Sequence, residues 1–193
     1  MAGRSARVRI VGGKHRGRSL AAPAGRDTRP TTDRTRQAIF NILAHADWAP
    51  DLDGAAVVDA FCGTGALGLE AMSRGAAWCG FLDIGRPALD AVRANLAALA
   101  EAGNALVLRA DATRPPPAPR ACTLAFLDPP YGQGLAPRAL DGLLKAGWLA
   151  DEALAVVEVA DRDPLPLPDG IVQVDERRYG DTRVAFLTVR RTA

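Results

Sequence analysis

Two short stretches of this 193-residue chain combine residue types and spacings that suit chemistry. In the first, residues 57–68, a short apolar run ends in an acid and is followed by Gly63, Gly65 and Gly68 in G-x-G-x-x-G spacing. Glycines let the backbone turn sharply beside a ligand, and the helix predicted from about Ala66 would direct its first N–H groups at that ligand. The pattern alone fits a dinucleotide loop, an S-adenosylmethionine loop or a tight turn that binds nothing.

The second stretch is Asp128, Pro129, Pro130 and Tyr131. Two consecutive prolines fix the backbone and remove two N–H donors, which leaves a rigid bend lined with carbonyl oxygens and followed by an aromatic face. Asp128 and the Pro129 carbonyl can each accept one N–H of a planar amine while Tyr131 stacks on its ring. Together with the glycine turn, this motif resembles that of the amino-methyltransferases, which carry D/N/S-P-P-Y/F/W after the fourth strand.

The elements that position these stretches alternate from residue 55 onward. Apolar runs bounded by turn residues predict strands at 57–61, 78–82, 106–109, 123–127 and 154–159. Between them we expect helices at 66–74, from Pro87 to around Gly103, and at 137–144. Two last strands flank the Gly180-Asp181 turn. The sequence therefore predicts a doubly wound, Rossmann-like α/β fold that ends in an antiparallel hairpin.

Four acids fall at or near the ends of these predicted strands: Asp59, Asp83, Asp111 and Asp128. In open α/β sheets, ligands bind outside the carboxyl ends of the strands. An acid after the second strand is placed to accept hydrogen bonds from both ribose hydroxyls, and one after the third to accept an exocyclic adenine amine. The predicted cofactor is an adenosine derivative.

Charge is distributed unevenly along the chain. Residues 1–36 hold ten Lys or Arg against two Asp and carry +8, whereas the remainder holds 14 basic and 20 acidic residues and carries −6. Such asymmetry predicts contact with nucleic acid or another anionic surface at one end of the molecule. The alternative is a solvated basic tail in an arginine-rich protein.

Structure signals are interleaved with these basic residues. Residues 7–11 and 18–22 predict two short strands joined by a glycine-rich loop with Lys14, His15 and Arg16 at its tip. A helix follows, with Arg34 and Arg36 on the flanks of an apolar stripe formed by Ala38, Ile39, Ile42 and Leu43. The polar residues 47–54 suggest a boundary. We therefore expect a basic hairpin and helix extension at 1–50, which contacts nucleic acid or another anionic surface, and a main domain at 51–193.

Composition excludes several classes of protein. The apolar runs are too short to span a bilayer, and the basic start lacks the apolar segment of a signal peptide. Three widely spaced cysteines give neither a disulfide framework nor a zinc motif, and the two histidines have no metal-binding spacing. We expect a cytoplasmic protein with no bound metal and no membrane contact.

Six motifs extend over nearly the whole chain, at residues 9–18, 29–34, 40–43, 59–71, 128–131 and 179–182. In these motifs the chain resembles the RsmD family of bacterial 16S ribosomal RNA guanine-N2 methyltransferases. This resemblance implies a class I S-adenosylmethionine-dependent methyltransferase fold, transfer of a methyl group to the exocyclic N2 amine of a specific guanine, and 16S ribosomal RNA as partner, free or within the small subunit. A monomer is expected.

The resemblance also assigns residues. Phe61, Gly63 and Gly65 would line the methionine end of S-adenosylmethionine, Asp83 the ribose, and Asp111 with Ala112 the adenine. Asp59, Ile84 and Asp128 complete the predicted cofactor contacts. Residues 128–131 would hold the target guanine. The predicted RNA-binding residues are Arg9, Lys14, Arg16, Arg18, Arg29, Arg34 and Arg36.

Three other functions would each explain part of the sequence. A dinucleotide-dependent oxidoreductase would explain the glycine turn and Asp83 but not residues 128–131 or the basic front. A non-catalytic RNA-binding module would explain only the front. An enzyme that methylates adenine N6 or another amine would explain residues 128–131 but not the RsmD-like first 43 residues.

Overall fold

A seven-stranded sheet forms the centre of the molecule in a computed structural model that describes residues 8–22 and 32–190. The strands are β1 (Ala56–Ala60), β2 (Trp78–Asp83), β3 (Ala105–Arg109), β4 (Cys122–Leu127), β5 (Leu149–Ala160), β6 (Ile171–Tyr179) and β7 (Thr182–Val189). The helices are α1 (Asp33–Leu43), α2 (Ala66–Ser73), α3 (Arg86–Ala98) and α4 (Leu135–Lys145).

The strand order is β3-β2-β1-β4-β5-β7-β6. Strands β1 to β5 are parallel, and β7 pairs antiparallel with both β5 and β6. The order reverses beside β1, which has β2 on one side and β4 on the other, and such a switch point is where open α/β sheets bind ligands. The predicted doubly wound fold with a C-terminal hairpin is confirmed.

Each face of the sheet has its own hydrophobic core. Side chains of α1, α2 and α3 pack on one face, and those of α4 pack on the other. Gly68 explains how α2 approaches so closely: a Cβ at this position would lie 2.5 Å from the Phe81 ring and 2.7 Å from Cys79 Sγ. The third glycine of the motif therefore serves helix packing, which keeps the start of α2 close to the end of β1.

The N-terminal segment packs into the first of these cores. Its buried apolar side chains share a cluster with α2, α3 and the strands: Val8, Ile10, Leu20, Ile39, Phe40 and Leu43. The Asn95 side chain of α3 accepts from the Ala21 N–H at 2.7 Å and donates to the Ala21 carbonyl at 3.1 Å. The division into units at 1–50 and 51–193 stays a prediction.

The predicted hairpin of residues 7–11 and 18–22 is present in a shorter form, since the Leu20 N–H donates to the Val8 carbonyl at 2.8 Å and the Ile10 N–H donates to the Arg18 carbonyl at 3.0 Å. Its described residues are joined by one antiparallel bridge between Arg9 and Ser19, and the tip forms a 3₁₀ turn at Gly13–His15. Beyond this pairing, the Val11 N–H donates to Glu70 Oε2 of α2 at 2.8 Å. The hairpin is therefore also attached to the helix on which it lies.

Helix α1 begins with a side-chain cap. The Thr32 hydroxyl accepts from the Thr35 N–H at 3.1 Å and caps the helix, with Asp33 in the first turn. Among the described residues, no helix combines the length and hydrophobicity needed to cross a bilayer.

Candidate active site

Strand register brings three predicted site residues to one edge of the sheet. Ala60 of β1 is paired with Leu82 of β2 and with Leu127 of β4. The next residues along these strands are Phe61, Asp83 and Asp128. The predicted cofactor and substrate residues therefore begin side by side at the switch point.

The glycine turn between β1 and α2 has an unusual backbone. Phe61, Gly63 and Gly65 all have positive φ, at 60°, 52° and 75°. For Phe61 this left-handed conformation costs of order 1 kcal/mol, whereas glycine adopts it readily. A Cβ on Gly63 would meet open space, since its nearest contact is the Phe61 carbonyl oxygen at 4.0 Å. The turn therefore leaves space beside Gly63 in which part of a ligand can lie.

Asp83 connects two turns at this edge. Its Oδ2 accepts from the Gly63 N–H at 3.1 Å, and its Oδ1 accepts from the Gly85 N–H at 2.7 Å. Each carboxylate oxygen has a second lone pair, so the pair can also accept from two vicinal hydroxyls. The neighbouring Ile84 is 63% exposed, a large apolar side chain placed where it can cover a flat ring.

Asp59 lies beneath the glycine turn instead of on its surface. It is 2% exposed, and its Oδ2 accepts from the Gly68 N–H at 2.9 Å. Burial, with a smaller contribution from nearby Asp83, raises the pKa of Asp59 to about 8 even though the Gly68 hydrogen bond opposes the shift. Asp59 therefore holds the start of α2 in place, while its direct contact with a cofactor stays a prediction.

Asp111 follows β3 and forms a compact turn. Its Oδ1 accepts from both the N–H and the hydroxyl of Thr113 at 2.8 Å, and these hydrogen bonds lower the pKa of Asp111. Ala112 between them is buried. Asp111 is exposed. It lies at the same sheet edge as Asp83, because Asp83 is paired with Arg109, two residues before Asp111.

These residues fit an adenosine-based cofactor. The site offers two acceptors for ribose hydroxyls at Asp83, an exposed apolar side chain at Ile84, an ionised acceptor at Asp111 and an open turn at Gly63. Within residues 8–22 and 32–190, no group of three or more His, Cys, Asp or Glu side chains is arranged to hold a metal ion.

The second motif lies at the end of β4. Asp128 is half-buried, Pro129 is buried, and Pro130 and Tyr131 are exposed. A depression of about 160 Å³ opens beside them. Its walls are mostly apolar and include Pro130, Tyr131, Leu135, Pro137, Val159 and Pro164. The motif thus presents polar and aromatic groups at an accessible concave surface.

Two residues without a predicted role contact Tyr131. Its hydroxyl lies 2.8 Å from Glu158 Oε1 and 3.0 Å from Thr182 Oγ1. Partial burial, together with the Glu158 carboxylate, raises the pKa of Tyr131 well above its usual range. The sequence motif at 179–182 could have indicated a role for Thr182. Nothing in the sequence indicates that Glu158, an acid within the apolar run of β5, contacts Tyr131.

The predicted RNA-binding residues divide into different environments. Arg9, Arg16 and Arg34 line one polar depression of about 450 Å³. Lys14 Nζ lies 2.6 Å from Glu101, and Arg18 Nη2 donates to the Ala98 carbonyl at 2.9 Å, although both side chains remain exposed. Arg29 lies outside the described residues.

Arg36 does not belong to this surface, and its prediction as an RNA contact is wrong. Its side chain is 0% exposed, lies 2.8 Å from Asp33 Oδ1, and also donates to the Arg9 carbonyl. Its Nε is 3.7 Å from the buried carboxylate of Glu70. Arg36 faces the interior because it occupies the buried side of α1, where it connects that helix with the N-terminal segment and α2.

Known proteins similar to this chain agree with the geometry. The model of the family described as Conserved hypothetical protein 95 matches residues 8–188. Ribosomal RNA small subunit methyltransferase D of Escherichia coli strain K12 is 41% identical over 165 residues, which cover 84% of this chain and 79% of the relative. The Haemophilus influenzae protein of the same name is 33% identical over 179 residues, covering 90% and 89%.

A solved structure gives the same result. The Escherichia coli protein yhhF, described provisionally as a methyltransferase, superimposes with a TM-score of 0.81 at 35% identity and covers 95% of this chain and 98% of its own. The resemblance carried by the sequence motifs is confirmed. The chain belongs to the RsmD family, that of ribosomal RNA small subunit methyltransferase D.

Proposed function

We propose that the protein transfers a methyl group from S-adenosylmethionine to the exocyclic N2 amine of a guanine in 16S ribosomal RNA. The observation that carries this proposal is the adjacency of two sites at one sheet edge. Phe61 and Asp83 start the cofactor site and Asp128 starts the amine site. They follow Ala60 of β1 and its partners in β2 and β4, respectively. Membership of the RsmD family supports the choice of ribosomal RNA.

The chain's own residues would hold the cofactor at the β1, β2 and β3 ends. Asp83 accepts from the ribose hydroxyls, Ile84 covers the adenine, and Asp111 with Ala112 receives its amine. Phe61, Gly63 and Gly65 lie along the methionine portion. S-adenosylmethionine supplies a methyl group on a positively charged sulfur, which is already activated for in-line attack by a nitrogen lone pair.

Residues 128–131 would hold the guanine. Asp128 and the Pro129 carbonyl accept the two N–H groups of the amine, which directs the nitrogen lone pair at the methyl group. Tyr131 stacks on the base. Such positioning converts a bimolecular encounter into an oriented attack, and no enzyme nucleophile is needed.

The reaction does not require Asp128 to take up the proton that the amine loses. Formation of the N–C bond leaves a positively charged nitrogen that is acidic enough to lose its proton to water. Asp128 therefore contributes chiefly through orientation and charge complementarity.

The exposed basic residues of the N-terminal segment would bind the RNA backbone. Arg9, Arg16 and Arg34 surround one polar depression, and Lys14 and Arg18 extend the same positive charge. Phosphate contacts position a nucleic acid without reading its sequence. That the substrate is 16S ribosomal RNA either free or within the small subunit, that the protein is monomeric and that it acts in the cytoplasm are further parts of the proposal.

The experiment is a methyl-transfer assay with labelled S-adenosylmethionine. Purified protein is incubated with free 16S ribosomal RNA and with small subunits from a strain that lacks the enzyme. Label recovered in N2-methylguanosine from either substrate supports the proposal, and the better substrate identifies the assembly state. Label in N6-methyladenosine would favour the adenine alternative. Calorimetry with a nicotinamide dinucleotide tests the oxidoreductase alternative, which requires that the protein bind this cofactor.

A further inference from the structure

The hydroxyl of Tyr131 is held by two side chains from different strands. Glu158 of β5 is 7% exposed, and its Oε1 lies 2.8 Å from the Tyr131 oxygen. Thr182, the first residue of β7, places its Oγ1 3.0 Å from the same oxygen. Tyr131 as a whole is nevertheless 42% exposed. Its hydroxyl end is therefore held by hydrogen bonds while another part of the residue remains accessible.

The direction of these hydrogen bonds follows from the chemistry. Tyr131 has a single hydroxyl proton, and the Glu158 carboxylate can only accept when ionised. Tyr131 therefore donates to Glu158, and the Thr182 hydroxyl donates to the Tyr131 oxygen. The two bonds together leave the phenol little freedom to rotate.

Sheet topology explains how these residues meet. Leu127 of β4 is paired with Val157 of β5, so Glu158 follows beside Asp128. Glu158 is in turn paired with Val184 of β7, and Ala160 is paired with Thr182. The antiparallel hairpin thus brings the end of the motif at residues 179–182 to the motif at 128–131.

The backbone after Tyr131 is fixed as well. The Gly132 N–H donates to Asp163 Oδ2 at 2.6 Å. The ring of Tyr131 is therefore held at its hydroxyl end and at the peptide that follows it. An aromatic face fixed before the substrate arrives avoids the entropic cost of ordering it on binding.

We infer that Glu158 and Thr182 are positioning residues that act through the Tyr131 hydroxyl to orient the aromatic face for the target base. The inference rests on the proposed role of Tyr131 in stacking on that base. Glu158 acts as a hydrogen-bond acceptor in this account and does not touch the reacting amine. The C-terminal hairpin thereby becomes part of the active-site architecture.

The test is a double-mutant cycle in the methyl-transfer assay. Tyr131→Phe removes the hydroxyl, Glu158→Leu removes the acceptor at similar volume, and Glu158→Gln keeps an acceptor without charge. We expect about a tenfold loss of kcat for the Phe and Leu variants, and a loss of no more than about threefold for Gln. Cofactor affinity should stay within about twofold.

Coupling decides between a positioning role and direct contact with the base. If Glu158 acts through Tyr131, combining Tyr131→Phe with Glu158→Leu should still give about a tenfold loss, because the second change removes an interaction already absent. Losses that multiply to about a hundredfold would overturn the inference. So would a Gln variant as defective as Leu, since the charge itself would then be required.

Thr182→Val provides a second cycle in case Glu158→Leu fails to fold, and circular dichroism checks each variant. We expect a loss of about threefold that disappears in the Tyr131→Phe background. Thr188→Val, near the other end of β7, is the matched control and should retain wild-type kcat. Normal kcat in Tyr131→Phe, beside a defective Tyr131→Ala, would overturn this inference alone. The proposed function fails separately if the wild-type protein methylates no guanine.

Discussion

The Asp83 carboxylate accepts a hydrogen bond from the Gly63 N–H at 3.1 Å and so joins the end of β2 to the glycine turn that follows β1. Its other oxygen accepts from the Gly85 N–H at 2.7 Å. The residue proposed to bind the ribose therefore also fixes the shape of the turn proposed to accommodate the methionine end of the cofactor.

Replacing Asp83 with Ala should weaken S-adenosylmethionine binding by roughly 1.5 to 3 kcal/mol, the range for hydrogen bonds to a charged group. Isothermal titration calorimetry measures the change. Asp90→Ala is the matched control, because Asp90 is an exposed acid on α3 whose ion pair is with Arg93. Equal affinities for the Asp83 variant and the wild type would rule out the assigned ribose contact.

Replacing Asp128 with Ala should leave cofactor binding largely intact and lower turnover by on the order of a hundredfold, because the amine loses an acceptor that orients it. Asp128→Asn retains one acceptor oxygen and should lose less. Single-turnover assays of methyl transfer measure the rates of the Ala and Asn variants. Near-normal turnover of the Ala variant would show that residues 128–131 do not hold the amine.

Neutralising Lys14, Arg16 and Arg18 together should weaken RNA binding without changing cofactor affinity. If about five cations contact phosphates, the logarithm of RNA affinity falls with the logarithm of salt at a slope of roughly −4, and the triple variant should flatten that slope by about two to three. Binding measured by fluorescence anisotropy across a salt series gives the slope.

The control for this experiment neutralises three exposed arginines outside the N-terminal segment: Arg120, Arg177 and Arg178. Their loss changes net charge by the same amount and should leave the slope near the wild-type value. If both triple variants flatten the slope equally, net charge alone governs binding and the proposed RNA surface is wrong.

Arg36 should affect stability instead of RNA binding. Arg36→Met removes a buried cation from beside Asp33 and Glu70 and should lower the free energy of unfolding by roughly 2 to 4 kcal/mol. Arg34→Gln, at an exposed position of the same helix, should change it by less than about 0.5 kcal/mol. Urea denaturation compares the two, and an Arg36 variant as stable as the wild type would contradict its structural role.

Arg36 also illustrates what sequence could and could not predict. Arg36, Ile39, Phe40 and Leu43 recur at helical spacing and are the buried residues of α1. The periodicity alone therefore places Arg36 on the buried face. Its partners were not predictable, because Glu70 comes from a helix whose approach depends on the tertiary fold.

The strands and the acids at their ends were accessible because local periodicity and turn residues determine them. The contacts of Tyr131 were not, since Glu158 and Thr182 lie 27 and 51 positions away and meet it only through the pairing of β4, β5 and β7. The hydrogen bond between the Val11 N–H and Glu70 of α2 likewise joins residues far apart in the sequence. Sequence identified the chemical groups, while tertiary packing determined which of them touch.

Asp59 should make stability depend on pH. Its folded-state pKa of about 8 exceeds the usual value of 3.8, so the folded protein holds one more proton than the unfolded chain between these values. The contribution of Asp59 to stability is therefore fully present below about pH 4 and is lost as pH rises towards 8, by at most about 1.4 kcal/mol per pH unit.

Asp59→Asn removes this titration while keeping an acceptor for the Gly68 N–H. The difference in unfolding free energy, wild type minus variant, should fall between pH 5 and 8 and level off above that. Urea denaturation at intervals from pH 5 to 9 measures it. A difference that stays constant over this range would mean that Asp59 is already ionised at pH 5.

The central claim is tested most directly by mass spectrometry of nucleosides in 16S ribosomal RNA from a strain in which the gene for this chain is deleted. N2-methylguanosine should decrease by one residue per RNA, return when the wild-type gene is restored, and stay low when the restored gene carries Asp128→Ala. An unchanged N2-methylguanosine content in the deletion strain would contradict the proposed reaction.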